Sequence, residues 1–246
     1  MAVIAPRVMT KNMMLQRLRE EVLEANRELV RRGLVLYTFG NASGISRDEG
    51  LVVIKPSGFP YEEMRPEHLV VTDLGGRIVE GDLRPSSDLP THLVLYKAFP
   101  EIGGVAHTHS EYATAWAQAR QPIPCLGTTH ADSFHGPIPV TAAMTEQDIT
   151  HNYEENTGRA IVRALEHLDH KAVPAILVAN HGPFIWGPDP GTAAHHAAIL
   201  EAVARTAYLT ITINPAAQPI GSALHDKHYL RKHGSDASYG QARAKK

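Results

Sequence analysis

The chain has 246 residues, 43% hydrophobic and 20% charged, a balance ordinary for a soluble globular protein and sufficient for one large domain or two small ones. Its net charge of −2 points to neither a nucleic-acid surface nor an anionic-membrane surface, and no apolar run approaches the ~18 residues of a membrane span. A single cysteine, Cys125, excludes an intrachain disulfide and fits a reducing cytoplasm, while MAVIAPRVMTKNMM lacks the apolar core and cleavage site of a signal peptide, so none is expected.

Residues 11–33 predict the first helix. Leu15, Leu18, Val22, Leu29 and Val30 fall near one face, charges fill the other, and Gly33 suits the position just past its end. Short strands are expected at 34–39 (LVLYTF), 51–55 (LVVIK), 69–73 (LVVTD) and 77–81 (RIVEG). A helix follows over 90–99, with Pro90 in its first turn. GGVAHTHSEYATAWAQA (103–119) reads as a buried strand ending in His107-Thr108-His109 and entering a helix over 111–119. Beyond it come a helix over 155–170, a strand over 175–180, a candidate strand at FIWG and an alanine-rich helix over 191–211. From 214 onward the chain is polar and punctuated by Gly and Pro, and 224–234 forms at most a short helix. No repeat, low-complexity block or linker interrupts the chain, so one α/β domain over 1–246 is the simplest organisation. Strands cluster instead of alternating with helices, which argues for a mixed, largely antiparallel sheet covered by helices. Neither GxGxxG nor GxxxxGK[ST] occurs, so no Rossmann or P-loop nucleotide site is indicated.

Fifteen histidines are many for this length. Side chains at i and i+2 share a strand face, so His107 and His109 can converge on one metal ion, imidazole being a common ligand for zinc and its neighbours. Two satisfied polar residues at a strand end fit the segment equally well. His181 also follows an apolar strand directly; alone it reads as a turn residue, but with His107 and His109 it becomes a third ligand, and three ligands with an open position describe a catalytic site. Ser86, Ser87 and Asp88 precede the helix at Pro90. One of them suffices as an N-cap, and three in a row, at a helix end with free N–H groups, fit a phosphate contact. Lys55-Pro-Ser57-Gly58 and the turn at 39–44, with Asn41, are common surface turns individually and a phosphate pocket in aggregate. Asp132, in GTTHADSFHG, is an acid–base candidate. Tyr239 reads as an amphipathic anchor for the tail, and HDKH (225–228) as a solvated turn sooner than a metal site.

GNASG, IKPSG, PSSDLPTH, GGVAHTHS, GTTHADSF, NHGPFIWG and DKHYLRKHG…YGQ together resemble the class II, zinc-dependent sugar-phosphate aldolase/epimerase superfamily. Within it they resemble the L-ribulose-5-phosphate 4-epimerases, from about residue 15 to Gln241. That leaves 1–12 as an N-terminal extension and 242–246 as a basic tail. The resemblance implies a three-layer α/β/α sandwich around a mixed, mostly antiparallel sheet, assembled as a cytoplasmic cyclic homotetramer with active sites between subunits. It implies a Zn²⁺ (Mn²⁺ or Co²⁺ also suit the ligands) on His107, His109 and His181, with Asp88 completing or adjoining the shell. Phosphate contacts carry over to Ser57, Gly58, Ser86 and Ser87, with Asn41 and Lys55 nearby, and a phosphorylated sugar becomes the partner. Asp132 and a neighbouring subunit's Tyr239 become the proton-transfer pair, while His228 and Arg231 receive no role. The reaction so implied is retro-aldol cleavage of C3–C4 and re-addition to the other face of the aldehyde, in arabinose or ascorbate/gulonate catabolism alike. A class II aldolase that releases the aldehyde is the nearest competitor; Asp88, where related aldolases carry glutamate, and the presence of Asp132 argue against it. A non-catalytic metal-binding homologue is the remaining reading.

Overall fold

The computed structural model describes residues 15–234 and 237. A seven-stranded sheet runs through it in the order β4-β3-β2-β1-β5-β7-β6. The strands are β1 (Asn41–Ser46), β2 (Leu51–Ile54), β3 (Val70–Asp73), β4 (Ile78–Glu80), β5 (Gly104–His107), β6 (Ala175–Leu177) and β7 (Pro183–Gly187). Every pairing between them is antiparallel, in line with the expected, mostly antiparallel sheet. Among the described residues, parallel pairing is confined to an isolated bridge, Val140 to Leu177.

Helices cover both faces, as the three-layer expectation requires. α1 (Gln16–Arg31), α3 (Glu111–Ala119) and the long α7 (Pro190–Ile213) pack on one face around Leu29, Ala42, Ala106, Ile185, Ala194 and Leu200. α2 (Leu89–Ala98) and α6 (Tyr153–Ala164) close the other over Val52, Val105, Tyr96, Phe184 and Trp186. The short α4 (Thr128–Ala131) and α5 (Glu146–Thr150) lie in connections, and α8 (Ser222–His233) is longer than the sequence indicated. Among the described residues no helix is long and apolar enough to cross a membrane.

Two local expectations fail. LVLYTF is not a strand: Leu36, Tyr37 and Phe39 are 60%, 83% and 54% exposed, and Tyr37 turns at φ 51. The strand is NASGIS, which looks like a polar turn because its residues are small. They must be small: a Cβ on Gly44 would stand 2.7 Å from Pro190 of α7 and 2.8 Å from Leu18. On α1, Val30 is exposed, while Arg19 and Asn26 are buried. Asn26 earns burial by donating to the carbonyls of Val22 and Ala42 and accepting from the Ala42 amide, so it ties α1 to β1.

Candidate metal centre and substrate cavity

Sheet register builds one end of the site. Asn41 on β1 pairs with His107 on β5, and His107 pairs with Phe184 on β7, so the three stand abreast at the edge where the strands end. The His107 ring stacks on Phe184 at 4.2 Å, and its Nδ1 donates to the Pro183 carbonyl at 2.9 Å. A carbonyl can only accept, so the proton sits on Nδ1 and Nε2 offers a lone pair. β5 stops at His107. His109 reaches the same point from the turn into α3, not from the strand pleat, and its Nε2 lies 3.0 Å from that of His107. His181 arrives from the turn before β7, closed by Val178 N–H donating to the Gly182 carbonyl at 2.9 Å. The two histidine turns touch at Gly182, where a Cβ would fall 2.7 Å from the Thr108 carbonyl.

The ligand nitrogens of His107, His109 and His181 lie within 4.8 Å of one another. Burial, then the neighbouring His107 and His109, pull His181 down to about 4, despite the opposing pull of Asp88. Desolvation of its ring, then His107, also lowers His109. Neutral imidazole is the ligating form, so the donor set fits a divalent cation, with nothing in it specifying zinc over manganese or cobalt. Asp88 is outside this group of three. It accepts from Asn41 Nδ2 at 2.6 Å; burial would raise its carboxyl, but its polar surroundings, the Asn41 hydrogen bond among them, hold it below the usual range. Because Nδ2 faces a carboxylate, the Asn41 amide orientation is fixed, and its buried Oδ1 has no partner among the described residues.

Two turns are clamped beside this cluster. Ser57 N–H donates to the Arg84 carbonyl and Ser86 N–H to the Lys55 carbonyl, both at 2.9 Å, with Pro56 bridged to Pro85. The Ser57 amide therefore joins the two turns and is not free to cradle an oxyanion. The hydroxyls of Ser57 and Ser87 are exposed, and Gly58, at φ 63, makes the turn. Lys55 is buried, with Nζ 3.3 and 3.4 Å from the Pro56 and Thr38 carbonyls and over the Tyr61 ring; burial depresses its amine to about 8, against the pull of Asp88. Asn41, Lys55, Ser57, Gly58, Ser86, Ser87, Asp88, His107, His109 and His181 all line one cavity of about 420 Å³. A larger surface depression, about 810 Å³, is walled by charged residues of α1 and the start of α7 and contains none of them.

Asp132 is not in that cavity wall in its own chain. It stands just after α4 and accepts from His228 Nδ1 at 3.0 Å and from Arg231 Nη2 at 2.9 and 3.0 Å, with Lys232 Nζ at 3.5 Å. Partial burial would raise its carboxyl, but hydrogen bonds from Arg231 and His228 outweigh that and hold it below the usual range. Tyr239 lies outside the described residues.

Three contributors were not singled out in the sequence. Tyr153, at the start of α6, places its hydroxyl 3.2 Å from His181 Nδ1 and lines the cavity. Glu201 of α7 accepts from the amides of Tyr112 and Ala113 at 2.8 and 2.9 Å, capping α3 just beyond His109. His92, wholly buried one turn after Asp88, is held by Ser43 Oγ at 2.7 Å, and burial pulls it down to about 3. The spacing of His107 and His109 and the strand-end position of His181 were readable; Tyr153 and Glu201 come from elements far away in sequence.

The model of the class II aldolase and adducin N-terminal domain matches residues 20–208. L-ribulose-5-phosphate 4-epimerase UlaF of Salmonella paratyphi B (strain ATCC BAA-1250 / SPB7) is 52% identical over 227 residues, 92% of this chain and 100% of the relative. The protein of the same name from Salmonella typhi is also 52% identical with the same coverage. Among solved structures, an L-fuculose 1-phosphate aldolase is similar at 25% identity with a TM-score of 0.76, covering 90% of this chain and 98% of that one. YgbL of Klebsiella pneumoniae is similar at 27% identity with a TM-score of 0.69, covering 88% and 99%. With a family model across most of its length and relatives matched end to end, the chain belongs to the class II aldolase and adducin N-terminal domain family.

Proposed function

We propose that the chain is a metal-dependent epimerase that interconverts L-ribulose 5-phosphate and D-xylulose 5-phosphate by breaking and re-forming C3–C4. It would act in the cytoplasm as a cyclic homotetramer, with 1–246 forming one domain. The observation that carries this reading is the joining, in one cavity, of three imidazoles with two serine-bearing turns and a buried lysine, in a chain 52% identical to proteins named for that reaction.

His107, His109 and His181 hold the cation. Zinc, with manganese or cobalt as alternatives, supplies Lewis acidity for the negative charge that develops on the sugar's C2 and C3 oxygens. Asp88, held ionised by its neighbours, adds negative charge beside the imidazoles. Ser57, Ser87 and the Lys55 ammonium bind the phosphate, with Gly58 and Ser86 shaping the turns. This anchoring retains the aldehyde fragment while it rotates to present its other face, which separates an epimerase from an aldolase. Asn41 Oδ1, a buried acceptor without a partner, suits a sugar hydroxyl.

The C4 hydrogen is not acidic, so inversion proceeds by removing the C4 hydroxyl proton instead, and one acid–base group is needed on each face. Asp132 and Tyr239 fill these roles. Because Asp132 does not line its own chain's cavity, both come from a neighbouring subunit, a change from the expectation that only Tyr239 does so. Incubation with L-ribulose 5-phosphate should yield D-xylulose 5-phosphate. Accumulation of free glycolaldehyde phosphate and dihydroxyacetone would instead identify an aldolase.

A further inference from the structure

A second group of metal-ligating side chains stands away from the cavity, where α8 meets the loop after α4. His135 comes from that loop; His225 and Asp226 come from the N-terminal part of α8. Their ligand atoms lie within 4.8 Å of one another. His135 Nε2 and Asp226 Oδ1 are 2.9 Å apart. Two donors on a tetrahedral zinc, at bonds of about 2.0–2.1 Å, stand ~3.3 Å apart, so this pair needs little adjustment to share an ion. His225 Nε2 donates to the Phe134 carbonyl at 3.2 Å, which leaves Nδ1 as a lone pair. Such an outer hydrogen bond is what orients a ligating imidazole. The His135 and His225 rings lie parallel at 4.7 Å, and Tyr229, one turn further along α8, covers His135 at 4.7 Å.

The setting gives an ion something to do. α8 buries none of its residues, and imidazole hydrogen bonds and ion pairs tie it to Phe134, His135 and Asp132. A helix attached without a hydrophobic face gains more from a cross-link than one seated in a core.

We propose that His135, His225 and Asp226 form a second site for a divalent transition metal such as zinc, separate from the three-histidine cavity, which staples α8 to the loop after α4. Two imidazoles and one carboxylate are donors suited to zinc, with water completing the shell. On binding, the His135 tautomer shifts, its proton moving by exchange with solvent from Nε2 to Nδ1, so that Nε2 and Asp226 both face the ion. The proposal does not depend on the sugar chemistry.

The test counts zinc per chain by native mass spectrometry at saturating Zn²⁺. His135→Ala, His225→Ala and the gentler His135→Gln should each carry one zinc fewer than the wild type. In a His109→Ala/His181→Ala background, which lacks the cavity ligands, zinc should slow amide exchange in α8 several-fold, and adding His135→Gln should abolish the slowing. Equal zinc content in the wild type and all three single variants, or α8 exchange indifferent to zinc, overturns the proposal.

Discussion

Lys55 sets a pH dependence. Its amine, depressed by burial to about 8, is charged at neutral pH and loses its proton as pH rises. An unfolded lysine titrates near ~10.4, so the charged form costs stability below pH 8, and that cost fades as pH rises through 8. Phosphate binding runs the other way: KM for the phosphorylated sugar should climb above pH 8, and Lys55→Met should start from a high KM and show no such climb. Each serine hydroxyl is a smaller part of the same pocket. Losing one hydrogen bond to a charged group costs about 1.5–3 kcal/mol, so Ser57→Ala or Ser87→Ala should raise KM by roughly 10–150-fold and let fragments escape. The metal site divides from the phosphate site by a different readout. His181→Ala should lose the cavity's metal and activity while staying folded, and a metal count equal to that of the wild type would contradict the three-histidine assignment.

Elements matter through the few places where they touch. Glu201 spans from α7 to the amides of Tyr112 and Ala113 in the first turn of α3, the helix that begins just after His109. Glu201→Ala leaves both without an acceptor, so it should lower stability by ~1–3 kcal/mol in denaturant titration and weaken metal binding as well. Gly182→Ala should keep the fold but push the His181 turn from the Thr108 carbonyl, lowering metal affinity. The same contacts explain what was legible in the chain. β2, β3 and β7 announce themselves through branched and aromatic residues buried on both faces. β1 does not: at Gly44 Pro190 of α7 and Leu18 of α1 leave no room for a side chain, Ser43 is held by His92 and Tyr96, and the resulting run of Asn, Ala, Ser and Gly has the composition of a turn. LVLYTF has the composition of a strand, yet its aromatics are exposed. The site follows the same division: histidines and serines at strand ends were readable, while Tyr153 and Glu201 were not, because α6 and α7 deliver them over long sequence separations.

At the scale of the whole molecule, the chain brings the metal and phosphate residues together but keeps Asp132 with α8, among His228, Arg231 and Lys232. If neighbouring subunits complete the site, Asp132→Asn and one of the cavity variants, such as His181→Ala, fail in different halves of it. Unfolding and refolding the two inactive proteins together should regenerate active sites in mixed oligomers, whereas a mixture as inactive as its parents would place both halves in one chain. Bond cleavage followed by rotation is the central claim, and it leaves the C4 hydrogen on carbon throughout. The most direct measurement is conversion of L-ribulose 5-phosphate in D₂O followed by NMR. D-xylulose 5-phosphate should form with protium retained at C4; deuterium at C4, or no conversion, would contradict the account.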